Sequence, residues 1–207
     1  MKLAMFSPKE MDLPRGWPGR VDGDRVVQLA AQTLQVYFSS GGRLREHAEY
    51  LLDDVDLRAP VLYPPSIRIF DESDFAFANT AAIHGPEDEI PFPEGSSDLR
   101  SVPSIAAVIG AEGAIGGFTA ANAWTAPDLP GVKSHDFALS IGPVLVTPDE
   151  YDAGKDWDER VAHAAKNTVL RPGDLLIVGV GGNAPAQRGD VVEVAVDGIG
   201  VLRNPVV

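Results

Sequence analysis

"SDLRSVPSIAAVIG", residues 97–110, reads as a turn running into a buried strand. Stretches of the same kind lie on either side of it. "IRIF", "FAFAN", "AIGGFTAANAW", "FALSIGPVLVT" and "DLLIVGVG" are short apolar runs punctuated by Gly and Pro. "DVVEVAVDGIGVLRN" turns back on itself around Asp197 and Gly198, the dipeptide that most strongly signals a hairpin. Only "DWDERVAHAAKN" in this half has helical spacing, with Trp157, Val161, Ala164 and Ala165 on one side. Residues 61–207 are therefore expected to form a mainly β domain, within a chain of the α+β class.

Residues 1–60 read as a small N-terminal α/β unit. "RVDGDRVVQLA" places Asp22 and Gly23 at a hairpin tip. Two helical patterns are expected after it, "AQTLQVYFSS" and "RLREHAEYLLDD", separated by Gly41 and Gly42. The glycines of "VGVGGNAPAQRG" fit neither the dinucleotide fingerprint nor the phosphate loop, and no helical pattern follows them, so they read as a turn.

The 207 residues are enough for one sizeable core, and the 44% hydrophobic and 23% charged content is ordinary for a globular protein. No apolar run approaches the ~18 residues of a membrane span. Pro8, Glu10 and Asp12 interrupt the place where a secretory signal keeps its apolar centre, so a cytoplasmic location is expected. With no cysteine there are no disulfides, thiolate metal sites or cysteine nucleophiles. A formal net charge of -13 without a basic cluster argues against nucleic acid and anionic membranes as partners.

Taken in order, "PPSIRIF", "FAFANTAAIHGPEDEIPFP", "IAAVIGAEG", "GGFTAANAWTAPDL", "KSHDFALSIGPVLVTPDEY", "LRPGDLLIVG" and "RGDVVEVAVDGIGVLRNPVV" resemble the fumarylacetoacetate hydrolase family across most of residues 60–207. The resemblance implies a mixed β-roll with its site in the mouth, usually paired as a homodimer. It also implies hydrolysis or decarboxylation of β-keto acids and acylpyruvates, through a divalent cation held by four carboxylates. Here the positions matching those ligands are Ile69, Val102, Ser104 and Ala123, and none carries a charge. A hard cation needs oxygen ligands to offset its dehydration, so the expectation is that no metal or other cofactor is bound.

Other departures follow. Pro127, Pro130 and His135 stand where the family has an arginine, a glutamine and a lysine, and Val178 and Val180 replace two threonines. Only six residues separate Phe70 from Phe77, where the family inserts a lid with a catalytic histidine and glutamate.

The residues left to weigh are few. Arg68 is a strand-borne cation at the edge of the inherited site and a candidate for holding an acid group. His135 is a candidate general base or acid, although Asp136 beside it would face the other way on a strand. Asn122, Asp128 and Lys133 are candidates for substrate contact, though the first two also suit turn hydrogen bonds. "FDESDF" offers Asp71, Glu72 and Asp74 as a replacement cation site, but acids in a tight turn are ordinarily solvated. His84 suits a loop, and His47 and His163 suit exposed helix surface.

Three readings of function follow. The preferred one is a hydrolase-like scaffold without its metal site, acting as a non-catalytic or partner subunit in a homodimer or in a heteromer with another subunit of the family, with a small carboxylate as a possible ligand. The second is a metal-free enzyme in which Arg68 and His135 act on a small keto acid. The third is a surviving metal-dependent hydrolase using Asp71, Glu72 or Asp74.

Overall fold

The computed structural model describes residues 1–43, 45–72, 74–154 and 156–207. The leading sixty residues carry β1 (Lys2–Pro8), β2 (Trp17–Asp22), β3 (Arg25–Leu29), α1 (Leu34–Ser39), β4 (Glu46–Leu51) and β5 (Val55–Arg58). The rest carries β6 (Ile67–Phe70), β7 (Phe75–Phe77), β8 (Ile83–His84), β9 (Leu99–Ser101), β10 (Pro103–Ile109), β11 (Ile115–Ala123) and β12 (Leu139–Val146). It closes with α2 (Trp157–Ala165), β13 (Leu175–Gly179), β14 (Ala184–Ala186), β15 (Val191–Val196) and β16 (Gly200–Pro205). The molecule is mainly β, as its sequence pattern predicts.

One large mixed sheet runs β4-β3-β2-β1-β12-β11-β10-β13-β6-β7, with β5 added beside β1 and β8 beside β12. The strands of the leading sixty residues continue this sheet, because β1 pairs with β12 through Lys2 and Leu3. The strand read from residues 97–110 lies inside it: β10 is hydrogen-bonded to β11 on one side and β13 on the other. A strand paired on both edges and covered on both faces must be apolar throughout. That is why "SIAAVIG" shows a continuous run instead of alternation.

The two faces of the sheet carry two cores. Ala106, Val108, Ala121 and Ile141 face one side, under Leu34, Tyr37 and Phe38 of α1. Ala107, Ile109, Ala120 and Val144 face the other, under Trp157 and Ala164 of α2 and under Val194 and Leu202 of the β15–β16 hairpin. Each fully buried aliphatic side chain contributes about 1.5–3 kcal/mol. A smaller cluster of Ile90, Leu99, Trp124, Ala138, Ala186 and Val206 closes one end.

Both predicted hairpins form, with Gly23 at φ 59° and Gly198 at φ 81° in the left-handed region their turns require. α1 also forms, capped by Thr33 Oγ1, which accepts from Val36 N at 3.2 Å, and followed by Gly41 and Gly42 with positive φ. The second helix expected in the leading unit does not form. Apart from Leu44, which lies outside the described residues, "RLREHAEYLLDD" becomes β4 and a short turn. β4 pairs with β3 from Arg25↔Leu51 to Leu29↔Glu46, and Tyr50 packs on Phe6 and Trp17. Ladder pairing and aromatic packing outweigh a helix preference of a few tenths of a kcal/mol per residue. His47 is accordingly an exposed strand residue.

Candidate functional site

A cavity of about 430 Å³ opens where the β6–β7 hairpin, the segment after it, the ends of β10 and β11, and the start of β12 meet. Its walls include Ile69, Phe77, Val102, Ala123, Trp124 and Leu139. The sheet register brings them together. Ile69 pairs with Ala76 across the hairpin, Ala123 lies opposite Leu139, and Ala123 N donates to the Val102 carbonyl at 3.1 Å. Ile69, Ala78, Val102, Ala123 and Leu139 all belong to the core on the α1 side of the sheet, so the cavity is an opening at the edge of that core.

Three of the four positions that the resemblance assigns to metal ligands therefore line one cavity. The fourth, Ser104, is outside the lining and 1% exposed, and its hydroxyl donates to the Val102 carbonyl at 2.9 Å. Magnesium-type sites use about six oxygens, with carboxylates among them. Three hydrocarbon side chains and one engaged hydroxyl do not fit such an ion.

The polar groups of the cavity are mostly engaged. Trp124 Nε1 donates to Ser140 Oγ at 2.9 Å, and Asn79 Nδ2 donates to the Asp136 carbonyl at 2.9 Å. His135 borders the cavity just after a 3₁₀ turn, Gly131–Ser134, and not on a strand. Its Nδ1 lies 2.9 Å from Ser134 Oγ, whose proton goes to the Gly131 carbonyl at 2.8 Å. A hydroxyl has one proton, so with Ser134 donating to Gly131 the contact is met by the Nδ1–H tautomer of His135, which carries its lone pair on Nε2. Asp136 pairs with Lys133 Nζ at 2.8 Å instead of with His135.

Arg68 is held elsewhere. It is 5% exposed, does not line the cavity, and donates from Nη1 to Ser66 Oγ at 2.6 Å. Ser66 Oγ in turn donates to Asp174 Oδ1 at 2.6 Å, and Asp174 Oδ2 lies 4.0 Å from Arg68 Nη1. The rings of Phe75 and Phe77 lie 5.5 and 5.3 Å from the guanidinium carbon. The anionic partner that a buried arginine demands is thus Asp174, a residue that the sequence reading missed. Its signal was the "RPGD" turn, in which Asp174 Oδ2 accepts from Arg171 N at 2.7 Å.

The candidates for substrate contact also lie outside the cavity lining. Asn122 is buried, and its Oδ1 accepts from Val102 N at 2.8 Å and Ser101 Oγ at 3.0 Å. Asp128 accepts from Ser97 N at 2.6 Å and Ser96 Oγ at 2.7 Å, and these bonds hold its carboxyl below the usual carboxylate range. Lys133 is exposed and tied to Asp136.

The "FDESDF" acids form the outer side of the β6–β7 turn, facing α2 across a second cleft. Asp74 Oδ1 lies 3.0 Å from His163 Nε2, which together with the bond from Phe75 N lowers its pKa. Asp71 Oδ1 accepts from Asp74 N at 2.9 Å. Among the described residues, no group of three or more His, Asp or Glu side chains is placed to hold a metal ion. Ser73 in this turn lies outside the described residues.

The fold is shared with several solved structures. Maleylpyruvate hydrolase from Sphingobium sp. SYK-6 superposes with a TM-score of 0.81 at 20% identity, covering 100% of this chain and 99% of that one. The same enzyme in complex with manganese (II) ion and pyruvate gives 0.80 at 20% identity over the same coverage. 5-Carboxymethyl-2-hydroxymuconate delta-isomerase from Mycobacterium smegmatis gives 0.82 at 23% identity, also over 100% and 99%. In sequence, residues 155–207 match the fumarylacetoacetate (FAA) hydrolase C-terminal model. Protein Rv2993c of Mycobacterium tuberculosis is 29% identical over 64% of this chain. The match spans 65% of the length of that relative. The chain resembles the fumarylacetoacetate hydrolase family and has its fold. No helix among the described residues is long and apolar enough to cross a membrane.

Proposed function

We propose that this protein is a hydrolase-type scaffold that has given up the family's divalent-metal site and serves as a non-catalytic or partner subunit. The observation that carries this reading is the convergence of Ile69, Val102 and Ala123 on one cavity, with Ser104 buried and bonded to the Val102 carbonyl. These are the positions where carboxylates would chelate a cation, and a doubly charged ion gains too little from hydrocarbon walls to leave water. The tight β6–β7 hairpin supports the same reading: Asp71 N donates to the Asp74 carbonyl at 3.0 Å, so no room is left there for an inserted lid.

One observation favours a second reading, a metal-free enzyme acting on a small keto acid: His135 borders the cavity, with its Nδ1 beside Ser134 Oγ. Arg68, the cation meant to hold the acid group, is engaged with Ser66 and Asp174. That leaves the second reading without a carboxylate anchor. Expression of the tagged protein beside a metal-competent relative from the same cell tests the preferred reading. Co-purification in a fixed ratio, with the relative's activity altered by its presence, supports it. Turnover of acylpyruvates by the isolated chain, lost on chelation of metal, would overturn it.

A further inference from the structure

We infer that the cavity is a binding site for a neutral hydroxy-aromatic molecule of one or two rings, held by apolar contact and by one hydrogen bond that the ligand donates. This deepens the reading of a metal-free site, on which it rests in part.

The volume of about 430 Å³ lies within the range of small-molecule sites, and the walls contributed by Phe77, Trp124, Leu139 and Val102 favour a flat apolar body. The sign of charge is set by what is absent from those walls. Among the described residues neither Lys nor Arg lines the cavity. Arg68 is turned to Asp174 and Lys133 to Asp136. A carboxylate entering here would lose water without meeting a cation.

Three of the donors at the cavity are already engaged. Trp124 Nε1 goes to Ser140, the Ser134 hydroxyl to Gly131, and Asn79 Nδ2 to Asp136. In the tautomer with Nδ1–H turned to Ser134 Oγ, His135 offers a ligand the lone pair of Nε2. A ligand with an O–H donor satisfies that nitrogen, whereas a carboxylate or ketone repels it.

The test is a calorimetric titration, at pH 7, of the full chain with 2-naphthol and with 2-naphthoate, a pair matched in shape and opposite in charge and donor capacity. The expected result is one naphthol bound per chain, at least about tenfold more tightly than naphthoate. Ala78→Trp and Ala82→Trp, both on half-buried walls, should each weaken naphthol about tenfold or more by filling the space, while Val169→Ala on a distant exposed residue leaves it unchanged. If one filling variant fails to unfold cooperatively, the other carries the test. Absence of naphthol binding, naphthoate binding as tightly, or unchanged affinity in a folded filling variant would overturn the inference. A parallel titration of Mn²⁺ with oxalate separates the two proposals. Metal-dependent oxalate uptake overturns the metal-free reading whatever naphthol does, while failure of naphthol without such uptake overturns this inference alone.

Discussion

Asn122 precedes the cavity-lining Ala123 on β11, and its carbonyl oxygen serves Ser101 Oγ at the end of β9 and Val102 N in the break before β10. Replacing it by Ala leaves these donors without an acceptor in a buried setting. Asn122→Ala should therefore lower stability by about 2 kcal/mol, measured by urea denaturation, with little change in naphthol affinity. A second residue-scale expectation concerns acid. Burial pushes the His84 pKa below its ordinary 6.5, with Asp88 opposing. The unfolded chain then binds a proton that the folded one refuses, so the stability tied to His84 is full above pH 6.5 and is lost as pH falls through the folded value. The lowered pKa of Asp128 acts in the same direction but only below its ordinary 3.8. Melting temperatures between pH 7 and 5 should fall less steeply in His84→Gln than in the parent; equal slopes would remove His84 from the account. The sequence offers His84 for a loop and Asn122 for a turn, but Asn122 lies within β11, and its partners Ser101 and Val102, some twenty residues away, leave no local pattern.

At the scale of elements, the knot of Arg68, Ser66 and Asp174 ties β6 to the turn that begins β13. Removing one charge strands the other in a site where both side chains are about 95% buried, 5% and 4% exposed. Asp174→Ala should cost about 3 kcal/mol, and Arg68→Met with Asp174→Leu together should cost less than the single Asp174→Ala change. Equilibrium unfolding of the parent and the two variants measures this; a double change costing as much as or more than Asp174→Ala would contradict the ion-pair reading. The hairpins at Gly23 and Gly198 were legible because two adjacent residue types dictate the turn. β4 was not, since "REHAEYLLD" has good helix formers and its strand state depends on β3 and on Tyr50 reaching Phe6 and Trp17. The cavity walls were half legible: Ile69, Val102 and Ala123 came from ordered motifs, whereas Phe77, Leu139 and Trp124 join them only through sheet register.

For the whole molecule, the sheet carries the strand order and both cores of a hydrolase fold while the cavity at its edge lacks an ion's ligands. Strand order does not require a metal site, because it rests on apolar strands and turns, and Ile69, Val102 and Ala123 themselves join the apolar core. The central claim is that the cavity cannot hold a divalent cation, and calorimetric titration of Mg²⁺ and Mn²⁺ into the purified chain measures it directly. The account predicts no saturable heat up to millimolar metal for the parent. It further predicts that Ile69→Asp, Val102→Glu, Ser104→Glu and Ala123→Asp combined restore uptake if the chain tolerates them. Saturable binding by the parent with a micromolar dissociation constant, about 8 kcal/mol of affinity, would contradict it.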